Sequence, residues 1–410
     1  MRRPRPRAVA GALALAALLA AGPLPGAAPA RADSIRDQQQ WALDAINAPA
    51  AWATTRGEGI TVAVLDTGVD ATHPDLAGAV RQGRDLVGMG AGPGDPEWAE
   101  HGTAMAGIIA GRGHGANNES GVIGVAPEAE ILPVRVLLED DDPVRDEARE
   151  TRSGALAEGI RWAADQGADV INLSLGDDSE SAHHDAEEDA AVRYALSKGA
   201  VVVASAGNGG ENGDPVSYPA GYPGVIAVAA VDRSGSPAAF STRRWYATVS
   251  APGKGVIVAD PDREYYTGWG TSAAAAFVSG SVALLLAAHP DLTPAQVRQV
   301  LADTAQNPPE SGRSDALGSG VVDPAAAIAA AAGLVARPLT PSSEPYGEEY
   351  FGPGPREQAS GSGGTAWLAP VSGALGVLLL GAATALVTGR GTTRLRDRFR
   401  RPAAERLPPY

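Results

Sequence analysis

The sequence predicts an α/β domain built around a central, mostly parallel β-sheet. Four short, almost continuous apolar runs are typical of strands buried on both faces, as in parallel sheets: GITVAVLD (59–66), ADVINLSLG (168–176), AVVVASAG (200–207) and GVIAVAAV (224–231). Helical patterns fill the intervals, and such alternation predicts βαβ units. Because ligands of open parallel sheets bind beyond the carboxyl ends of the strands, the polar residues Asp66, Ser174 and Asn208 become candidate site residues.

Three helices are predicted around these strands. The first begins after Ser153, and the second covers residues 186–197, where a Lys-Gly pair ends it. The third, AAAAFVSGSVALLLAA (273–288), is apolar around almost its whole circumference, which predicts a helix buried through the centre of the domain. Ser272 lies directly before this third helix.

The two ends of the chain carry membrane signals. Residues 1–32 combine a basic start, a short apolar stretch and an A-x-A site, which predicts a signal peptide cleaved after Ala32; a retained anchor is the alternative. Residues 366–388 begin with 22 uncharged residues, long enough to cross a bilayer, although a buried core helix is the alternative. The basic tail at 389–410 predicts a cytoplasmic C-terminus, and the Pro/Gly/Ser-rich segment 337–365 predicts a flexible linker.

Composition excludes several classes of function. The formal net charge of the 410 residues is −15, and many of the arginines lie at the two ends, so the middle of the chain is more acidic still. Such a surface would repel nucleic acid, which we therefore do not expect as a partner. The chain has no cysteine, which excludes disulfides, thiolate metal sites and a cysteine nucleophile.

Three stretches supply the groups that an acyl-transfer serine enzyme needs: VAVLDTGVD (62–70), HGTAMAGIIAG (101–111) and GTSAAAAFVSG (270–280). Such an enzyme uses a hydroxyl, an imidazole that takes its proton, and a carboxylate that orients the imidazole. A Gly-Thr-Ser before a helix is, by itself, more often an N-cap than a nucleophile. In the order Asp66, His101 and Ser272, however, the three stretches together predict a catalytic triad.

These motifs resemble the subtilisin-like serine proteases along residues 55–335. The same order includes SLG (174–176), ASAGN (204–208), YPA (218–220) and APG (251–253). The resemblance implies a subtilisin-like three-layer fold and a serine endopeptidase. It makes Ser272 the nucleophile, His101 the general base and Asp66 the orienting carboxylate. Asn208 would donate a hydrogen bond to the oxyanion.

Ser174, Leu175 and Gly176 resemble the edge at which the family binds an extended peptide. The alternative for these positions is a strand that simply ends at glycine. The sequence departs from the family after the nucleophile, where Ala273 and Ala276 replace the usual methionine and proline. Neither change removes a catalytic group, so both should affect packing and pocket shape.

No cofactor is predicted, and the one metal considered is a structural calcium. Asp75, in HPDL (73–76), resembles a residue that binds calcium in some subtilisins, but the sequence identifies no other ligands. The acidic stretches 139–150 and 177–189 are interpreted as solvated surface loops beside the cleft rather than metal sites. We expect them to disfavour acidic peptides.

The architecture from end to end resembles the mycosins, the membrane-anchored proteases of type VII secretion in actinobacteria. By this resemblance, an N-terminal extension at 33–54 packs on a protease domain at 55–336 through Trp41, Leu43, Ile46 and Trp52. The implied partners are peptide or protein substrates, the type VII membrane complex and the membrane, through one C-terminal helix. The protein would lie in the cell membrane with its catalytic domain outside the cytoplasm. A general surface protease and a non-catalytic scaffold of subtilisin fold are the alternatives.

Overall fold

The computed structural model describes residues 34–95, 98–176 and 182–335. The chain divides into two units, Met1–Ser342 and Ser343–Tyr410, and every described residue lies in the first. The signal peptide at 1–32, the linker at 337–365, the transmembrane helix at 366–388 and the tail at 389–410 lie outside the described residues, so these assignments stay predictions.

The described residues contain eleven strands and nine α-helices. The strands are β1 (Thr61–Asp66), β2 (Arg84–Asp85), β3 (Arg112–His114), β4 (Ser120–Ile123), β5 (Glu130–Arg135), β6 (Val170–Leu173), β7 (Val201–Ser205), β8 (Ile226–Val231), β9 (Ala247–Pro252), β10 (Lys254–Ala259) and β11 (Tyr265–Trp269). The helices are α1 (Ser34–Ala45), α2 (Ala48–Ala51), α3 (Glu100–Ala110), α4 (Arg145–Thr151), α5 (Ala155–Asp165), α6 (Ala186–Ser197), α7 (Thr271–Ala288), α8 (Pro294–Asp303) and α9 (Pro324–Ala331).

A parallel sheet forms the centre of the domain. Within the described residues it has seven strands, in the order β2-β5-β1-β6-β7-β8-β9. β1 therefore lies between β5 and β6, and Asp66 at its carboxyl end is paired with Arg135. The predicted α/β fold with a central parallel sheet is confirmed. Two antiparallel hairpins, β3-β4 and β10-β11, complete the described strands.

Helices cover both faces of the sheet, and each strand contributes to two cores because its successive side chains point to opposite faces. Val62 and Val64 of β1 belong to a core that also contains α3 and α7. Ala63 and Leu65 belong to a second core, with α5 and α6. The strand is buried along its whole length, which explains why its sequence is apolar without alternation.

α7 is the buried helix that its composition predicts. Phe277 and Leu284 are almost completely shielded from solvent. By length and composition α7 could cross a membrane, but 83% of its 18-residue window is buried inside the domain. It is therefore a core helix, and no other helix in the described ranges meets the same criteria.

The N-terminal extension packs on the domain. Leu43 and Ile46 of the α1 region are fully buried in the same core as α7. Trp41 and Trp52 are partly buried against that core. The indole Nε1 of Trp52 also donates to the carbonyl of Val125 at 2.8 Å, so the extension is joined to the domain by both packing and hydrogen bonds.

Candidate active site

Asp66 ends β1 with a fully buried carboxylate. Its Oδ1 accepts hydrogen bonds from the backbone N–H of Thr67 at 2.7 Å and from Nδ1 of His101 at 2.8 Å. A buried charge is costly unless a donor compensates it, and the imidazole is the ionisable partner here. The arrangement leaves Nε2 of His101 as the nitrogen that can exchange a proton with a substrate.

His101 lies in the first turn of α3, which approaches the end of β1 very closely. A Cβ atom on Gly102 would lie 1.8 Å from the carbonyl oxygen of Gly68 and 3.2 Å from Cβ of Asp66. Only glycine fits at such a distance. The Gly102 N–H also donates to Oγ1 of Thr67 at 3.1 Å. The His-Gly pair of the motif therefore allows the helix to bring its imidazole to the strand.

The surroundings of His101 favour its protonated form. Desolvation lowers the pKa of the imidazole, but the charge and hydrogen bond of Asp66 outweigh this effect. Glu139 and Asp140 add further negative charge, and the pKa is raised to about 9. The side chain remains 35% exposed, so a substrate can reach it. The neutral imidazole that acts as a base should therefore accumulate under alkaline conditions.

Ser272 lies in the first turn of α7. Its hydroxyl donates to the carbonyl of Ser174 at 3.0 Å, and the Ser174 hydroxyl donates to the Ser272 carbonyl at 2.9 Å. Ser272 and His101 line the same cavity. The bond between a catalytic hydroxyl and its base is often loose without substrate and tightens in the complex, so the present orientation of the Ser272 hydroxyl does not exclude its predicted role.

Asn208 follows β7 and contacts the turn before Ser272. Its Oδ1 accepts from the N–H of Thr271 at 2.9 Å and from Oγ1 of the same residue at 3.0 Å. Gly270 has φ +146°, and a Cβ there would lie 3.9 Å from both Asn208 Nδ2 and Ser272 Cβ. Contacts of that length are ordinary, so it is the backbone angle, which side chains rarely adopt, that requires glycine here. The donation by Asn208 to a substrate oxyanion stays a prediction.

The predicted substrate edge lies just beyond β6. The side chain of Ser174 is buried, whereas Leu175 is half-buried and Gly176 is exposed. The Ser205 hydroxyl donates to the Leu175 carbonyl at 3.2 Å, which fixes the path of the segment. Exposed backbone at Gly176 is compatible with pairing to an extended peptide, and this role stays a prediction.

A buried polar chain behind the nucleophile was missed in the sequence. Ser279 of α7 donates to Oδ1 of Asn172 at 2.9 Å, and Nδ2 of Asn172 donates to Ser174 Oγ at 3.0 Å. This chain fastens α7 to β6 below Ser272. The available signal was an amide within an otherwise apolar strand, because a buried amide requires partners.

A cavity of about 250 Å³ opens beside the triad. Its walls are mostly apolar: His101, Met105, Val258, Tyr266, Thr267, Gly268, Trp269, Ser272 and Ala273. Asn208 and Ser174 do not line it, so the cavity lies on the imidazole side of the nucleophile. The imidazole of a triad protonates the leaving amine, so under the roles predicted for His101 and Ser272 this cavity would face the departing half of a peptide. A larger cavity, of about 360 Å³ near Lys198 and Thr293, contains none of the triad groups.

Asp75, the residue considered for calcium, is fully buried and held by protein donors. Its Oδ2 accepts from Val122 N–H and from the Tyr265 hydroxyl, each at 2.8 Å, and Oδ1 lies 2.6 Å from Nδ1 of His114. Within the described ranges, no group of three or more His, Cys, Asp or Glu residues is arranged to hold a metal. The calcium site stays a prediction without further ligands.

The acidic stretch 139–150 is not simply a solvated loop: residues 145–150 belong to α4, and two carboxylates before that helix are at least partly buried. Glu139 is half-buried, and its Oε1 accepts from the His101 backbone N–H at 3.0 Å. Asp142 is buried and accepts from the N–H of Ala91 at 2.8 Å. Both carboxylates accept hydrogen bonds from backbone N–H groups, and composition alone does not show where such donors lie. In the second stretch, residues 177–181 lie outside the described part of the chain.

Comparison with known proteins places this site in context. Residues 57–320 match the subtilase family of peptidases. Thermitase from Thermoactinomyces vulgaris is 39% identical over 273 residues, which cover 67% of this chain and 90% of thermitase. The crystal structure of MycP1 from Mycobacterium smegmatis has a TM-score of 0.61 at 30% identity, covering 76% of this chain and 88% of MycP1. MycP3 protease from the type VII (ESX-3) secretion system has a TM-score of 0.58 at 33% identity, covering 74% of this chain and 90% of that structure.

Proposed function

We propose, on the premise that the chain belongs to the subtilase family, that it is a membrane-anchored serine endopeptidase acting outside the cytoplasm in type VII secretion. The chain is a subtilisin-like serine protease, since its relatives in this family carry that activity in their names. Beyond this assignment as a serine protease, the proposal specifies which residues are catalytic, that the chain is anchored in the membrane, and that it acts in type VII secretion.

The single observation that carries the catalytic assignment is the 2.8 Å bond between Asp66 and His101 beside the cavity that Ser272 also lines. In the proposed mechanism, Ser272 Oγ attacks the scissile carbonyl while His101 Nε2 takes its proton. Asn208 stabilises the oxyanion of the tetrahedral intermediate. His101 then gives the proton to the leaving amine, and the same groups direct a water molecule onto the acyl-enzyme.

Two observations support the secretion context. The structures of MycP1 and MycP3 resemble this domain, and the name of MycP3 assigns it to a type VII secretion system. The uncharged segment at 366–388 with its basic flank supports a single C-terminal anchor and a cytoplasmic C-terminus. In this setting the enzyme would process exported proteins, and its presence could also stabilise the secretion complex.

A general extracytoplasmic protease is the second candidate. The chain is more similar in sequence to thermitase, at 39% identity, than to the two MycP structures, at 30% and 33%. This candidate shares the catalytic mechanism and differs in its substrates. The two candidates therefore predict different consequences for the exported proteins of the cell.

The enzyme assignment is tested with a fluorophosphonate probe on the purified full chain. Wild type should be labelled and Ser272→Ala should not, whereas an unlabelled wild type would contradict the catalytic assignment. The context is tested by comparing the exported proteins of wild type, a Ser272→Ala strain and a deletion strain. Type VII substrates that are exported but uncut in the Ser272→Ala strain would support the processing role. Type VII substrates that stay inside the cell in the deletion strain would support the role in stabilising the secretion complex. Unchanged type VII export and processing in both strains would favour the general protease.

A further inference from the structure

The two helices that carry His101 and Ser272 do not cap their own N-termini. The residue before α3 is Ala99, with φ 59° and ψ 27°, and it provides no side-chain cap; Gly270 before α7 provides none either. The first N–H groups of a helix have no partner within the helix and need acceptors from elsewhere. For α7, the acceptor is Asn208, which binds the Thr271 N–H.

For α3, the acceptors come from two other segments. The His101 N–H donates to Glu139 Oε1 at 3.0 Å, and the Gly102 N–H donates to Thr67 Oγ1 at 3.1 Å. These are the second and third N–H groups of the helix, which a capping side chain normally binds. Thr67 and Glu139 are also hydrogen-bonded to each other, and since Thr67 Oγ1 already accepts from Gly102, its hydroxyl donates to the carboxylate.

Both acceptors are fixed to the strand that carries Asp66. Thr67 follows Asp66 directly, and its N–H binds the Asp66 carboxylate at 2.7 Å. The segment leading to Glu139 is held by the Val136 N–H, which donates to the Asp66 carbonyl at 2.9 Å. The cap therefore joins the backbone of the imidazole to the strand of the orienting carboxylate.

We propose that Glu139 is a positioning residue for the triad, whose carboxylate caps α3 with Thr67 and fixes His101 against Asp66. The inference rests on the proposed function of that triad. It assigns to an acidic residue outside the family motifs a role in the geometry of catalysis. Its negative charge also favours the imidazolium that forms when Ser272 loses its proton.

Glu139 is one of several acidic groups near the imidazole, so its electrostatic effect must be separated from theirs. Burial raises the pKa of Glu139, and the charge of Asp66 adds to this, while the bonds from Thr67 and the His101 N–H oppose it. The acidic groups that act on His101 or lie next to it are Asp66 from β1, Glu139 and Asp140 after β5, and Glu100 within α3. Glu100 in turn is affected by Asp141, Asp260 and Asp262.

The test separates the hydrogen bond of Glu139 from its charge. Glu139→Gln keeps an oxygen acceptor and removes the charge, whereas Glu139→Leu removes both. Asp140→Asn is the matched charge control, since Asp140 is exposed and forms an ion pair with Arg145. The readout is the second-order rate constant for fluorophosphonate labelling of the full chain between about pH 6 and pH 11, with the melting temperature of each variant.

We expect Glu139→Gln to keep the plateau rate within about threefold of wild type and to move the acid limb of the profile to lower pH. Glu139→Leu should lower the plateau by about ten- to a hundredfold, because small displacements of a catalytic group have effects of that size. Asp140→Asn should keep the plateau and shift the acid limb less than Glu139→Gln. A Glu139→Leu plateau equal to wild type, or an equal loss in Glu139→Gln, would overturn the proposal.

Two further measurements test the proposal even if Glu139→Leu folds poorly or the enzyme is not labelled by the probe. Thr67→Val removes the other half of the cap, and its loss of rate should not add fully to that of Glu139→Leu; additive losses would contradict a shared cap. Independently of catalysis, NMR titration of the His101 ring in the Ser272→Ala background should show a lower pKa with Glu139→Gln. An unchanged ring titration would overturn the electrostatic part, even if wild type proved catalytically inactive.

Discussion

The pH dependence of Ser272 reactivity should follow the titration of His101. The pKa of the imidazole is raised to about 9, mainly because the charge of Asp66 outweighs desolvation. A raised pKa keeps the imidazolium to higher pH, and the imidazolium cannot accept the Ser272 proton. Activity should therefore be lost as the pH falls through about 9. Two pH units below that value, roughly one imidazole in a hundred is neutral, so the rate at pH 7 should be about one hundredth of the plateau.

The assay is the rate of fluorophosphonate labelling at constant ionic strength, which requires no knowledge of the natural substrate. Asp66→Asn is the informative variant, since it removes the main cause of the shift. Its acid limb should move to lower pH, while its plateau should fall by about 10⁴-fold because the imidazole loses its correct tautomer. A wild-type profile that is already flat at pH 7, or an Asp66→Asn limb that coincides with the wild-type limb, would refute the reasoning.

Three further predictions concern other parts of the molecule. Asn208→Asp keeps the oxygen that binds Thr271 and loses the amide donor, so labelling should slow by about 10²–10³-fold at a nearly unchanged melting temperature; a wild-type rate would exclude the oxyanion role. Leu43→Ala should lower the free energy of unfolding by about 2–5 kcal/mol in urea titrations, whereas Gln40→Ala on the exposed face of the same helix should stay within about 0.5 kcal/mol. Equal effects would contradict the packing of the extension. Ala273→Met should fill the cavity that His101 and Ser272 line. If this cavity receives the group that follows the scissile bond, the variant should transfer the acyl group of a peptide ester less efficiently to phenylalanine amide than to glycine amide, compared with wild type. An unchanged preference between the two amides would contradict that role.

The sheet and its main helices could be predicted because burial dominates their sequences. β1 lies within the predicted run 59–66, and α6 has the predicted bounds 186–197. The strand ends could not be placed as well. The run 200–207 extends beyond β7, whose last residue is Ser205, because Gly207 adopts φ +105° and leaves the sheet. Apolar composition marks what is buried, but a turn depends on backbone angles that composition records only through glycine.

Motifs alone predict the candidate triad, whereas the contacts that surround it could not be predicted. Asp66, His101 and Ser272 stand in recognisable stretches, and the structure joins the first two directly. Glu139 stands in a run of acidic residues that resembles solvated surface, and its contact with His101 spans 38 positions. Asn172 was at least conspicuous as an amide among apolar residues. Long-range hydrogen bonds between loops leave little trace in a local pattern, because they depend on where the fold places each backbone donor.

The N-termini of α3 and α7 are capped by side chains from distant segments, which implies an order of events during folding. His101 and Ser272 lie in the first turns of helices whose N-termini are held by distant segments: the Thr271 N–H donates to a residue 63 positions away, and the Ser272 hydroxyl donates to one 98 positions away. A helix emerging alone would fray at its first turn. Proteolytic activity should therefore appear late in folding, after these long-range contacts form. A nascent or partly unfolded chain would then not cleave neighbouring proteins.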